Sequence, residues 1–351
     1  MPRRLAITGL YEVEVKQYED PPLKPTQVLV RTELASGKHG TTTGMFDGVN
    51  FRGQTFDPEM RFFREDPDYK APPAGEGPVF DWRAGTSGVG TVEAVGSEVK
   101  DWKPGDRVFG RMDVRETNVC DEDALYALGQ IDPQTALCLE PGYVSFHCIR
   151  ESGVRYGDLV AVVGLGAIGL IAVEMARASG AERVFAVDPL PRRREWALRN
   201  GADEAFDPTS ADGVALAIHE RTDGKGVDIA IEVSGAYAGL QTALRCVRMM
   251  GTVCSAGFYQ GEAGGLWLGQ EWHHNRLTMI VPHGCGWGHV PRDFPNWDAG
   301  RANDVMVALM RKRVFRCPGL IAPIVPIEDA QKVFTLMRDD PNQLLKYGVR
   351  F

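Results

Sequence analysis

The sequence predicts an α/β protein, a doubly wound parallel sheet preceded by a β-rich region. Three observations carry this. Residues 156–282 alternate short apolar runs with helical patterns, residues 1–147 carry short extended segments cut by Pro, Gly and charged turns, and helical and extended patterns return after an irregular stretch beyond Pro282. In the alternating region the predicted order is strand 159–163, helix 167–179, strand 183–187, helix 192–199, helix 214–221, strand 227–233, helix 240–248 and strand 251–256. Pro189, Pro191 and Gly201 punctuate the second helix, and Asp223-Gly224-Lys225-Gly226 makes a turn into the next strand. Ahead of it, 27–33, 88–95 and 107–110 read as strands; behind it, 303–311 and 329–337 read as helices flanking an extended 321–326.

The run Ala161-Val162-Val163-Gly164-Leu165-Gly166-Ala167-Ile168-Gly169 joins the first of those strands to the first helix. Gly164 permits a tight turn, Gly166 lets a pyrophosphate approach the backbone, and Gly169 lets the helix pack on the strand. The helix opening at Ala167 and Ile168 aims free N–H groups and the positive end of its dipole at the phosphates, with Ile168, Ile171, Ala172, Met175 and Ala176 as its apolar face. Asp188 ends the second strand nineteen residues beyond Gly169, where a carboxylate accepts hydrogen bonds from the adenosine ribose. A 2′-phosphate about 4 Å from that carboxylate meets a repulsion of roughly 4 kcal/mol per unit charge, an upper guide worth about three decades of affinity. The expected cofactor is therefore NAD rather than NADP. Arg192, Arg193 and Arg194 could rescue NADP binding but are expected to cover the adenine side or face solvent, with Arg193 counted among the cofactor contacts together with Val233 and Ser234. The plain alternative is a strand-ending aspartate beside a structural turn.

With 351 residues, 44% hydrophobic and 25% charged, the chain suits two globular domains. A formal charge of −8 argues against a nucleic-acid partner. Seven scattered cysteines read as reduced thiols rather than a disulfide framework. The amino terminus has no signal-peptide pattern and no run reaches membrane-spanning length, so no membrane association and a cytoplasmic location are expected.

The string Gly90-Thr91-Val92-Glu93-Ala94-Val95-Gly96-Ser97, followed by Lys103-Pro104-Gly105-Asp106-Arg107-Val108, then Leu139-Glu140-Pro141 and Gly201-Ala202-Asp203, resembles the medium-chain dehydrogenase/reductase superfamily of alcohol and sorbitol dehydrogenases. The resemblance implies a GroES-like catalytic domain in 1–148, a Rossmann NAD-binding domain inserted at 149–290, and a return to the catalytic domain in 291–351. It also implies a homodimer through the sheet edge near 277–281.

Departures from the family pattern concern zinc. The family's first ligand, a Cys in a Cys-Gly-Thr-Asp-like string, is here His39 within Ala35-Ser36-Gly37-Lys38-His39-Gly40-Thr41-Thr42, and its Gly-His-Glu appears as Gly85-Thr86-Ser87. Hydroxyls are poor zinc ligands, and His39 with Glu140 leaves the site a ligand short. Between Asp106 and Glu140 only Cys120 and Cys138 occur, so the structural zinc lobe is missing too. No metal is expected. His283, Cys285 and His289 lie in a glycine-rich loop, and the adjacent His273 and His274 face apart, which suits hydrogen bonding rather than chelation.

Hydride transfer at a carbinol carbon leaves charge on the substrate oxygen, and without zinc a proton must answer it. The candidates are His39, which titrates near neutrality, Lys38 beside it, and Thr41, which matches the family's proton-relay hydroxyl; Glu140 is expected to orient the base. The structural alternatives are a turn-bound His39, a solvated Lys38 and a helix-capping Thr41. The segment 47–82 interleaves Phe51, Phe56, Phe62, Phe63, Tyr69, Phe80 and Trp82 with Arg52, Arg61 and Arg64, and is open between a substrate lid and subunit packing. The leading expectation is a zinc-independent NAD-dependent dehydrogenase interconverting a secondary alcohol, of a small sugar, cyclitol or polyol derivative, with its ketone. An enoyl or quinone reductase and a non-catalytic NAD-binding protein are the competing readings.

Overall fold

The computed structural model describes residues 1–9, 11–37, 53–68, 82–209, 213–259, 261–282 and 295–351. Strands β1 (Arg3–Gly9) and β2 (Glu12–Gln17) pair antiparallel. They are followed by β3 (Gln27–Ser36), a hairpin of β4 (Gln54–Asp57) and β5 (Phe62–Glu65), the short β6 (Trp82–Arg83), β7 (Ser87–Val95), β8 (Arg107–Gly110), β9 (Thr117–Asp121) and β10 (Leu125–Ala127). Helices α1 (Pro133–Ala136) and α2 (Leu139–Ser152) lead out of this β region.

The second sheet is built from β11 (Leu159–Val163), α3 (Ala167–Ala178), β12 (Arg183–Val187), α4 (Pro191–Arg199), β13 (Glu204–Phe206), α5 (Val214–Arg221), β14 (Val227–Glu232), α6 (Tyr237–Cys246), β15 (Val247–Ser255), α7 (Glu271–His274) and β16 (Thr278–Ile280). Its strand order is β13-β12-β11-β14-β15-β16, parallel throughout. Then come α8 (Ala299–Arg311), β17 (Ile321–Pro326), α9 (Ala330–Asp339) and β18 (Lys346–Arg350). β1, β2 and β6 form a small sheet of their own, while β18 pairs with β3, so the end of the chain joins the larger β sheet of the N-terminal region, ordered β10-β8-β7-β3-β18-β17 with β9 also on β3. The fold is the expected α/β class.

The near-continuous apolar strands follow from burial on both faces. Side chains alternate across a strand, so Val160, Val162, Val184, Ala186, Ile229 and Ile231 join one core, which takes in α3. Ala161, Val163, Phe185, Val187 and Ala230 join the other, with α5 and α6. The apolar face expected for α3 is too narrow. Leu170 and Val173 are buried as well, and Glu174 sits inside with its carboxylate accepting the N–H groups of Arg316 (3.1 Å) and Cys317 (3.0 Å).

Several boundaries move for identifiable reasons. α6 spans 237–246 rather than 240–248, because Val247 is β-branched, buried and paired with Val227 as the first residue of β15. α8 begins four residues earlier than the apolar pattern suggests, where the Asp298 carboxylate accepts the Arg301 N–H at 2.8 Å. α2 escapes periodicity altogether: ten of its fourteen residues are buried, and it carries Pro141 and Gly142 in its opening turn. Pro141 is tolerated there because first-turn N–H groups need no helical partner, and Gly142 stands where a Cβ would meet Met306 Cε of α8 at 2.7 Å. The six described cysteines are buried with free thiols. Among the described residues no helix is long and apolar enough to cross a membrane.

Candidate active site

At the C-terminal edge of β11 the three fingerprint glycines meet three different requirements. Gly164 takes φ +90°, and a Cβ on it would stand 2.6 Å from the Ser234 nitrogen. A Cβ on Gly169 would stand 1.8 Å from the Gly164 carbonyl oxygen and 3.0 Å from Val233 Cγ2, so this glycine lets α3 lie on the strand. Gly166, the residue before α3, is different: a Cβ there would meet no protein atom within 4 Å. Its lack of a side chain leaves open space in front of the first-turn N–H groups, and no side chain caps the helix. A cradle open only at Gly166 suits an anionic ligand on the helix N-terminus, and the residues fit a dinucleotide pyrophosphate.

Asp188 is nearly inaccessible at the end of β12. One carboxylate oxygen accepts the Leu165 N–H at 2.7 Å, the other the Leu190 N–H at 2.9 Å, and Arg193 Nη1 lies 3.5 Å away. The same carboxylate therefore shapes the glycine turn and the start of α4, while each oxygen keeps a second lone pair for another donor. Arg192 and Arg194 do not turn to solvent. Arg192 donates to the Gln343 carbonyl at 2.5 Å, and Arg194 donates to the Asp188 and Pro189 carbonyls at 2.7 Å each. Only Arg193 of the three is placed at the Asp188 carboxylate.

A second cluster forms where β3, β7, α2 and β18 converge. Ser36 and Ser87 are cross-strand partners, both fully buried. Ser87 Oγ accepts the Glu140 N–H at 3.4 Å, placing Glu140, itself buried in the first turn of α2, beside the end of β7. β18 clamps the end of β3: Ser36 Oγ donates to the Tyr347 carbonyl at 2.6 Å, and the buried Lys346 ammonium donates to the Gly37 carbonyl at 2.6 Å. Gly37 is required, since a Cβ would meet the Ala84 carbonyl at 1.8 Å and the Tyr347 hydroxyl at 2.2 Å. The next residues, Lys38, His39 and Thr41, lie outside the described residues. Glu140 is thus the described member of the expected catalytic set, and its backbone meets the end of β7, the strand paired with β3.

Ser87 stands at a position where the family pattern supplies a ligand, and its hydroxyl accepts the Glu140 N–H. Among the described residues no group of three or more His, Cys, Asp or Glu could hold a metal ion, and His39 lies outside them. His283, Cys285 and His289 lie outside the described residues. His274 Nδ1 sits 3.1 Å from the Gly269 carbonyl and 3.2 Å from that of Gln270. Of the aromatic segment, the β4–β5 hairpin is described: Phe56 and Phe63 pack at 5.2 Å, Arg64 pairs with Asp57 at 3.1 Å, and Phe62 and Phe63 are exposed.

Two groups went unnoticed in the sequence. Lys346 opens the final strand and is buried, unlike the exposed Arg350 that ends it, and nothing in the sequence separates the two cations. Glu232 ends the apolar β14, is fully buried, and holds Ser234 through its N–H (2.7 Å) and hydroxyl; burial pushes its carboxyl up while those donors and Tyr259 pull it down.

Comparison with known proteins agrees with this geometry. Residues 24–152 match the alcohol dehydrogenase GroES-like domain, and residues 167–297 match a family described as zinc-binding dehydrogenase. D-guloside 3-dehydrogenase of Escherichia coli K12 is 32% identical over 356 residues, covering 99% of this chain and 100% of that protein. D-xylulose reductase A of Aspergillus oryzae is 34% identical over 220 residues, 62% of this chain and 57% of that protein. The crystal structure of 2R,3R-butanediol dehydrogenase from Bacillus subtilis superposes with a TM-score of 0.74 at 22% identity, covering 100% of both chains. With a relative matched end to end at this identity, the chain belongs to the medium-chain dehydrogenase/reductase superfamily.

Proposed function

We propose that the protein is a zinc-independent, NAD-dependent dehydrogenase that interconverts a secondary alcohol of a sugar, cyclitol or polyol derivative with its ketone. The coarser statement, an oxidoreductase acting on a CH–OH group, is supported by relatives named for guloside, xylulose and butanediol chemistry. The observation that carries the finer reading is the pairing of an open Gly166 cradle with a hydroxyl, Ser87, where a zinc ligand belongs. NAD supplies the hydride acceptor and NADH the donor. The protein's residues do the rest. Gly164, Gly166 and Gly169 with the N–H groups of Ala167 and Ile168 bind the pyrophosphate, and Asp188 receives the adenosine ribose with Arg193 beside it. Val233 and Ser234 flank the nicotinamide side. His39, Lys38 or Thr41 holds the proton at the substrate oxygen, and Glu140 orients that base. The edge strand β16, with Met279 exposed on it and Val281 exposed just after it, is the proposed homodimer contact in a cytoplasmic enzyme.

The test is a panel of sugars and polyols assayed with NAD, with and without a strong chelator. Turnover is expected to survive exhaustive chelation; activity that vanishes and returns with zinc rejects the zinc-independent reading. Cofactor choice is tested separately with Asp188→Asn, which removes the charge and keeps an acceptor for one of the two neighbouring N–H groups while its NH2 faces the other. NADP affinity is expected to rise by up to about three decades as the like-charge repulsion disappears, with NAD affinity falling slightly. Equal NAD and NADP Michaelis constants in the unaltered protein defeat the Asp188 argument.

A further inference from the structure

We propose that Glu232, braced by Tyr259, is a positioning residue that locks the Ser234 turn against the first fingerprint glycine and so sets the shape of the cofactor crevice. The inference rests on the dinucleotide reading above. Glu232 and Ser255 end β14 and β15 at the C-terminal edge of the sheet, beside the point where strand order reverses and ligands of such sheets bind.

One carboxylate ties two loops together. Its Oε1 accepts the Ser234 N–H and hydroxyl, and its Oε2 accepts the Tyr259 hydroxyl, to which Ser255 Oγ donates at 3.1 Å. Its backbone carbonyl accepts the N–H groups of Ala256 (2.9 Å) and Gly257 (3.1 Å). Room for the carboxylate is made by two glycines: a Cβ on Gly257 would stand 2.6 Å from Oε2, and one on Gly239 2.8 Å from Oε1. Ser234 in turn blocks a Cβ at Gly164. Contacts thus run unbroken from Tyr259 through Glu232 and Ser234 to the fingerprint turn. Tyr259 is itself held, stacked on Tyr237 with ring centroids 5.3 Å apart, and the Tyr237 hydroxyl donates to the Gly261 carbonyl at 3.1 Å.

A buried carboxylate is costly and stays ionised only while its donors compensate it. The titratable groups that face it are Tyr259 and Cys254, and behind Cys254 lie Cys148 and Glu151 of α2. None of these supplies a positive charge, so hydrogen bonds carry the compensation. Removing the Tyr259 hydroxyl raises the pH at which Glu232 takes a proton, and a protonated carboxyl grips the Ser234 N–H less well. The locked turn then exists above that pH and is lost as pH falls through it.

Tyr259→Phe, Glu232→Gln and Ser234→Ala are compared with the unaltered protein by thermal melting, by fluorescence titration with NADH, and by hydrogen exchange of the 233–239 segment without cofactor. For Tyr259→Phe, NADH affinity is expected to match the unaltered protein at the alkaline end of a pH series and to fall about tenfold as pH is lowered, with faster exchange over 233–239 at the lower pH. Glu232→Gln is expected to weaken binding at every pH without a pH-dependent step, and Ser234→Ala to show the Tyr259→Phe trend with smaller amplitude. Unchanged exchange and affinity in Tyr259→Phe, or a uniform loss with no pH dependence, overturns the inference. If the unaltered protein binds no NADH while exchange follows the expected pattern, the dinucleotide reading falls and the brace stands.

Discussion

Replacing His39 by Ala or Thr41 by Val is expected to cut turnover about 10²–10⁴-fold while leaving NADH binding unchanged. The size follows from the job proposed for them. Charge develops on the substrate oxygen during hydride transfer, and on the proposed zinc-independent reading a positioned proton neutralises it. The separation of effects is expected because these residues follow β3 in sequence, whereas the cofactor cradle is built from β11, α3 and β12. Steady-state kinetics with the best polyol substrate, paired with NADH fluorescence titration, checks both halves. Full turnover in both variants discards the assignment, and a parallel loss of NADH affinity shows that the loop serves the cofactor instead.

The second large effect separates two glycines three residues apart. Gly169→Ala places a Cβ 1.8 Å from the Gly164 carbonyl oxygen, a contact that backbone cannot relieve without moving α3 off β11. Overpacking of this kind costs about 1–3 kcal/mol or more, and the expected result is a lower melting temperature together with NADH affinity reduced at least tenfold. Gly166→Ala meets no protein atom, and Gly166 has φ −67°, which alanine adopts freely. That variant is expected to melt at or slightly above the unaltered protein yet to bind NADH at least tenfold more weakly, because the new methyl occupies space kept for phosphate. Equal losses of stability in the two variants would mean that Gly166 serves packing and not a ligand.

The glycine turn was legible because its constraints are local. A strand, a positive φ and a helix start lie within nine residues, and each glycine's requirement is set by atoms close to it in sequence or one strand away. Asp188 was legible by its spacing, but not its double role: that the same carboxylate accepts the Leu165 N–H across 23 residues depends on β11 and β12 lying side by side. The arginines after it illustrate the limit further. Arg192 and Arg194 look interchangeable in a basic run, and the fold gives the first residues 342–343 and the second the carbonyls of Asp188 and Pro189 with the Asp207 carboxylate. Helix α2 went unread because a helix buried on nearly every side has no polar stripe to mark its period.

The alternation of strands and helices, the glycine turn and the superfamily were written in apolar runs and short motifs, since backbone conformation and strand burial are set by neighbours in sequence. Which buried charges meet was decided by tertiary structure. Lys346 reaches the Gly37 carbonyl across 309 positions, and Tyr259 closes on Glu232 across 27. A charge or hydroxyl hidden from water must find its partner in three dimensions, and in these pairings sequence spacing carries no record of where that partner lies.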